Sequence, residues 1–151
     1  MSDGARSAAV PVIGWAEFVD FPDWGIARVR AKVDSGARTS ALHVDNIVDL
    51  GRGKVSFDVV LHRQKHDRRK NVVAHVLRES RVKCSNGTCE TRYVVQTTMR
   101  MGPVERKIEL SLAQRGEMVF RMLIGRAALE NECTVDVSRR YLVTEQKRKR
   151  G

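Results

Sequence analysis

Aromatic residues make up only 5% of the 151 residues, with four Phe, two Trp and two Tyr. A core built from such a chain rests on Val, Leu, Ile and Ala, and the valines and threonines cluster in short runs that favour strands. No run of eighteen apolar residues occurs, which excludes a transmembrane helix of ordinary length. The first nine residues lack the charged-then-apolar pattern of a secretory signal. Three cysteines, an odd number, fit a reducing compartment better than a disulfide framework. These absences predict a cytoplasmic protein with no membrane partner. No glycine-rich phosphate loop with a lysine is present, so nothing reads as an ATP site. Heptads and repeats of solenoid length are also missing.

What is present bounds the class. The length fits one domain, and 42% hydrophobic residues is an ordinary globular content. Lys and Arg number 28 against 18 Asp and Glu, a formal net charge of +10. That excess favours acidic partners such as nucleic acid, acidic peptides or an anionic surface. A basic but merely solvated surface has the same composition.

Along the chain, residues 1–11 read as a flexible tail, 12–143 as the domain, and 144–151 as a basic tail without an apolar anchor. Residues 12–21 predict a strand closed by the turn Pro22-Asp23-Trp24-Gly25. Residues 26–33 predict the next strand, 39–48 another, and 54–61 a strand with Val55, Phe57 and Val59 on one side. The charged segment 63–71 reads as an exposed loop, and 72–82 resumes strand pattern. Ser85-Asn86-Gly87-Thr88 is a hairpin signal, since Asn-Gly accepts the positive φ of a tight turn. Residues 90–101 and 105–113 predict a second hairpin around Gly102-Pro103. Residues 119–124 form a short strand, 125–131 the one short helix, and 134–137 and 141–143 close the domain. Many short strands with regular turn signals predict an all-β, closed domain.

Two motifs carry the chemistry. Asp34-Ser35-Gly36-Ala37 follows the apolar stretch Gly25-Ile26-Ala27-Arg28-Val29-Arg30-Ala31-Lys32-Val33, so a strand delivers a carboxylate into a glycine turn. About ninety residues later, Met122-Leu123-Ile124-Gly125-Arg126 reads as a buried strand stopped by glycine. An Asp-Ser-Gly turn alone is common punctuation between strands. In this order and spacing the pair resembles the retropepsin-like aspartic proteases. The longer run Ala31-Lys32-Val33-Asp34-Ser35-Gly36-Ala37-Arg38-Thr39-Ser40-Ala41-Leu42-His43 is similar to the signature of a bacterial group among them. Phe120-Arg121-Met122-Leu123-Ile124-Gly125-Arg126 and Val135-Asp136-Val137-Ser138-Arg139-Arg140-Tyr141-Leu142 resemble its later blocks. That group carries the label ATP-dependent zinc protease and is associated with RimK-type glutamate ligases.

The resemblance implies a closed acid-protease barrel acting as a homodimer, with Asp34, Ser35 and Gly36 as the catalytic turn. Aspartic proteolysis needs two carboxylates sharing a proton, and the chain holds one such motif. A two-fold dimer would supply the second Asp34. By the same resemblance Ser35 offers a hydroxyl across the dimer axis, and Gly36 lets its amide approach the carboxylate. Ala37, Arg38, Asn86, Gly87 and Arg126 contact substrate, and Leu123, Ile124 and Gly125 back the active loop. Arg38 stands where viral members often carry an acidic residue. It could lower the pKa values of the dyad, favour acidic substrates, or point to solvent.

Residues 82–90 lie where the resemblance places a mobile flap. Cys84 and Cys89 flank its turn symmetrically, as two thiols or as a cross-hairpin disulfide, whereas Cys133 reads as a small core residue. The zinc label is tested on residues: no His-Glu-x-x-His occurs, and His62 and His66, four apart, lie in a stretch without helical pattern. His43, His75, Cys84 and Cys89 could converge only through the fold. The expectation is therefore no metal and no cofactor. The function expected is an aspartic endopeptidase acting on peptide or acidic, glutamate-rich protein substrates. The alternatives are a non-catalytic basic module on RNA or ribosomes, and a zinc-dependent peptidase. Against the RNA module, aromatic platforms are missing from the basic stretches such as Arg63, Lys65, Arg68, Arg69 and Lys70.

Overall fold

Apolar residues recur at a period of two through most of the chain, and side chains on a strand alternate between faces at that same period. The computed structural model describes residues 10–61, 69–85, 87–114 and 120–144, without the side chains of residues 81–85 and 88–90. The described residues form an all-β protein. In chain order its strands are β1 (Val12–Gly14), β2 (Ala16–Phe21), β3 (Ile26–Val33), β4 (Ser40–Gly51) and β5 (Lys54–Val60). They continue as β6 (Arg69–Ser85), β7 (Thr88–Met101), β8 (Val104–Ala113), β9 (Met122–Ile124) and β10 (Thr134–Asp136). Among the described residues no helix is long and apolar enough to cross a membrane.

Eight strands form one sheet in the order β2-β3-β9-β4-β5-β6-β7-β8, and further pairings join β4 to β8 and β2 to β7. The pairings therefore return on themselves from β4 through β5, β6, β7 and β8 back to β4. Strands β1 and β10 pair in parallel as a separate two-stranded sheet. On β5, Val55, Phe57 and Val59 are fully buried, as their alternation predicts. Burying side chains of this size stabilises the fold by about 1.5–3 kcal/mol each. The core is not only aliphatic: Phe21, Phe57, Met99, Met101 and Met122 are also fully buried.

Two turns follow their sequence signals. Gly25 closes the Pro22–Trp24 3₁₀ turn with φ 67° and donates its amide to the Pro22 carbonyl at 3.2 Å. Ser85 and Thr88 are register partners across the β6–β7 hairpin, and Gly87 between them has φ 73°.

Other expectations are corrected. The single strand expected over 12–21 breaks at Trp15, because the Trp15 amide donates to the Arg139 carbonyl at 2.8 Å while its own carbonyl accepts from Val33. Residues on either side then pair with different partners, β10 and β3. Part of the expected loop 63–71 is strand, since Arg69, Lys70 and Asn71 pair with Val60, Val59 and Asp58. Residues 62–68 lie outside the described residues. Residues 141–143 are not a strand; the Leu142 and Val143 amides donate instead to the carboxylate of the buried Glu17. The short helix expected over 125–131 is instead a three-residue 3₁₀ turn, Arg126–Ala128. The Arg126 and Ala127 amides, which have no partner inside a helix that starts there, donate to Ala37 and Arg38, and Leu129 and Glu130 both donate back to the Arg126 carbonyl. The Arg106 guanidinium donates to the Ala128 and Glu130 carbonyls. Asn131, at φ 66°, then ends the run.

Candidate active site

Strand β9 is three residues long and lies between two others. It runs parallel to β3, pairing Lys32 with Leu123 and Val33 with Ile124, and antiparallel to β4, pairing Ala41 with Leu123. The Asp34 amide extends the first ladder by one step, donating to the Ile124 carbonyl at 2.8 Å. The chain then turns, with the Ala37 amide donating to the Asp34 carbonyl at 3.1 Å. Asp34 thus stands at the end of a strand whose position is set on both sides.

The segment after β9 holds the turn from behind. Amides of Arg126 and Ala127 donate to the carbonyls of Ala37 and Arg38 at 2.9 and 3.0 Å. The Arg126 guanidinium reaches across and donates from Nη1 to the carbonyls of Ser35 and Gly36, at 3.3 Å each. The Gly125 amide donates to the buried Ser40 hydroxyl at 3.0 Å. Gly125 has ordinary extended geometry, φ −80°. It is required by closeness instead, since a Cβ there would lie 2.7 Å from the Arg38 carbonyl oxygen.

Within this cradle the Asp34 carboxylate is half-buried and takes no hydrogen bond or ion pair from the described residues. Five other aspartates are held by neighbours, whereas Asp23 is exposed in the Pro22–Trp24 turn. Asp20 accepts from the Arg28 amide and Asp49 from Gly51. Asp45 pairs with Arg69, Asp58 accepts from Asn46 and Asn71, and Asp136 accepts from Ser138. Hydrogen bonds from Asn46 and Asn71, with the Arg69 charge, hold the Asp58 carboxyl below its ordinary 3.8. Those from Ser138 do the same for Asp136. A carboxylate held firmly by its backbone but free at its oxygens is equipped to bind and exchange protons with a reacting molecule.

Beside the turn an open cleft of about 180 Å³ is lined by Arg38, Ser40, Gln96, Lys107 and Glu109, among others. Glu109 is already paired with Arg78 at 2.7 Å, so Arg38 and Lys107 give the cleft its charge.

Of the residues expected at the site, Asp34, Ser35, Gly36, Ala37, Arg38, Leu123, Ile124, Gly125 and Arg126 come together. Arg126 faces loop carbonyls, a bracing position. Gly87 sits at the hairpin tip, and no hydrogen bond or ion pair among the described residues links it to the Asp34 turn. Asn86, His62, His66 and the side chains of Cys84 and Cys89 lie outside the described residues. Cys133 packs against the core, and burial pushes its thiol up. No three His, Cys, Asp or Glu side chains converge as a metal-ligand set among the described residues. Sequence reasoning missed Ser40, whose hydroxyl seats Gly125, and the cleft residues Gln96 and Lys107. Ser40 lay inside the signature run and was legible there, whereas strand positions 96 and 107 carry no local signal.

Comparison with known proteins agrees with this architecture. A Legionella pneumophila protein of unknown function has the same fold, with a TM-score of 0.70 at 22% identity over 88% of this chain and 98% of that one. A Shewanella halifaxensis protein named as a probable alpha-L-glutamate ligase is 36% identical over 140 residues, 89% of this chain and 30% of that protein. A Desulfotalea psychrophila protein of the same name is 38% identical over 137 residues, 87% of this chain and 29% of that protein. The chain thus spans less than a third of the length of these curated relatives. Residues 12–146 match the model of the RimB-like family, described as "Retropepsin-like aspartic endopeptidase RimB". With the Asp34 turn seated on Gly125 as the geometry requires, the chain belongs to the RimB-like family of retropepsin-like aspartic endopeptidases.

Proposed function

We propose that the chain is an aspartic endopeptidase whose active form is a symmetric homodimer. The observation that carries this reading is the Asp34 carboxylate, fixed through its backbone and uncommitted at its oxygens. The circuit of pairings from β4 to β8 is, in this reading, the retropepsin-like barrel. One turn per chain provides one carboxylate, and a two-fold axis through the turn brings a second. Two carboxylates in contact hold a single proton between them, because both cannot easily ionise. The ionised one takes a proton from water as that water attacks the scissile carbonyl, and the protonated one gives its proton to the carbonyl oxygen. Gly36 and Ala37, small and at the turn, leave room for a substrate main chain.

The substrates we propose are acidic, glutamate-rich peptides. Three observations support this: the net charge of +10, Arg38 with Lys107 in the cleft beside the turn, and the names of the longer relatives. A ligase that adds glutamate and a peptidase segment that removes it act on the same kind of chain. The test compares cleavage of glutamate-rich and neutral peptides by wild-type and Asp34→Asn protein, with sedimentation to give the oligomeric state. Cleavage by Asp34→Asn at the wild-type rate, or an active monomer, would sink the mechanism. Loss of activity on chelation, with Asp34→Asn still active, would turn the reading to a metal peptidase.

A further inference from the structure

The chain that leaves the Asp34 turn also lines the cleft of about 180 Å³ beside it, through Arg38 and Ser40. Strand β7 contributes Gln96, β8 contributes Lys107, and the segment after β9 contributes Ala127. The Ala127 amide donates to the Arg38 carbonyl at 3.0 Å, so the joint that braces the turn also fixes the cleft. On the opposite strands Gln96 pairs with Glu109 and Thr98 with Lys107. Gln96, Lys107 and Glu109 therefore share one face of the sheet.

The charges of this lining do not cancel. Arg38 and Lys107 are exposed, and neither has an ion pair or a side-chain hydrogen bond among the described residues. The one carboxylate of the lining, Glu109, is matched by Arg78 at 2.7 Å. Gln96 adds a neutral amide donor, and Ile108 and Ala127 are apolar. Size then decides what the cleft can hold. Pockets that enclose a whole small molecule run to roughly 300–1,000 Å³. A cleft of about 180 Å³ is smaller, and suits a single side chain.

We propose, resting on the endopeptidase reading, that this cleft binds the side-chain carboxylate of a glutamate in the substrate, with Arg38 and Lys107 as its specificity-determining residues. A planar carboxylate can meet two N–H groups of one guanidinium at once, and an ammonium beside it adds a point charge. Ile108 and Ala127 take the two methylenes, which favours glutamate over aspartate. Arg38 follows Asp34 by four residues, so their Cα atoms are at most about 14 Å apart. An extended peptide rises about 3.3 Å per residue. The recognised glutamate therefore lies within about four residues of the scissile bond.

The test separates recognition from chemistry. Labelled peptides that differ only by Glu, Gln or Asp at one position near the centre are titrated into Asp34→Asn protein, with binding read by fluorescence anisotropy. The Glu peptide should bind about tenfold more tightly than the Gln peptide, the worth of one charge-assisted hydrogen bond. The Asp peptide should bind about fourfold more weakly than the Glu peptide, the worth of one buried methylene. Adding Arg38→Ala and Lys107→Met, both at exposed positions, should abolish the preference for Glu over Gln. Lys107→Glu should shift the preference towards a peptide with Lys at the same position. Lys54→Met removes the same charge from β5 and should keep the preference, which distinguishes the cleft from the bulk charge of +10. Thermal melts check that each variant is folded. Equal binding of the Glu and Gln peptides, or an unchanged preference in the Arg38→Ala/Lys107→Met variant, would overturn the proposal. With wild-type protein the same tenfold preference should appear in kcat/KM. Selective binding of the Glu peptide with no cleavage by wild type would overturn the endopeptidase reading and leave the cleft as a glutamate site.

Discussion

Gly125 passes so close to Thr39 that a Cβ at position 125 would stand 2.6 Å from the Thr39 carbonyl carbon and 2.8 Å from its oxygen. Both neighbours are backbone, so no side chain can swing aside. Gly125→Ala should therefore shift the strand that backs Asp34. We expect a loss of about 1–3 kcal/mol in stability, as for other overpacked sites, together with loss of peptide hydrolysis. A denaturant melt with an unchanged midpoint would show that the backbone yields without cost.

Asp34→Asn separates chemistry from fold. The carboxylate supports no contact among the described residues, so stability should stay within about 0.5 kcal/mol of wild type. Turnover should fall by about 10²–10⁴, the usual worth of a positioned acid–base group. Paired thermal melts and peptide assays read both effects.

Glu17 is fully buried, yet its carboxylate accepts amides of Gly14 and Leu142 at 2.7 and 2.8 Å and of Thr144 at 3.0 Å, with the Thr144 hydroxyl also donating. Val143 donates more weakly at 3.3 Å. Glu17→Ala strands these donors, and the loss should be about 3 kcal/mol or more. Glu17→Gln keeps one acceptor oxygen but turns an NH₂ towards amides, so an intermediate loss is expected. Hydrogen exchange at the Leu142 and Thr144 amides should quicken in both variants; unchanged protection there would refute the anchoring role.

The Asp58 carboxyl sits below its ordinary 3.8 because Asn46, Asn71 and Arg69 favour its ionised form. The folded state therefore binds this proton less readily than the unfolded state. Its contribution is present in full above the ordinary value and is lost as pH falls through the lowered one. Asp58→Asn should flatten the dependence of stability on pH in the acid range, around and below the ordinary 3.8, and leave its shape near neutrality unchanged. Denaturant titrations across that range provide the check.

The fold was legible where one local rule decided it. Period-two burial matches β5 and the β7–β8 hairpin, and the left-handed Gly87 lies between the paired Ser85 and Thr88 as its sequence signal predicts. The Asp34 turn and the Leu123-Ile124-Gly125 strand were legible as motifs, and the structure seats one on the other. What was not legible depends on partners distant in sequence. Glu17 reads as an outward polar residue of a strand, and only the return of residues 142–144 makes it an anchor. Residues 125–131 have helical pattern, but the left-handed Asn131 ends the run after one turn, and Arg106 takes its last carbonyls. Gln96 and Lys107 carry no common pattern with Arg38, because residues brought together from different elements share no spacing.

The parallel pairing of β3 with β9 also sets an order in time. A parallel pair cannot form as a hairpin and must wait for a crossover; here the Asp34 amide waits for the carbonyl of Ile124, about ninety residues later. Contacts of such separation form slowly, after most of the loop-closure entropy has been lost. During synthesis the aspartate emerges long before the strand, the glycine and the arginine that hold it in place. A nascent chain therefore carries Asp34 without its supports, and the turn takes shape only when nearly the whole domain is available to contain it.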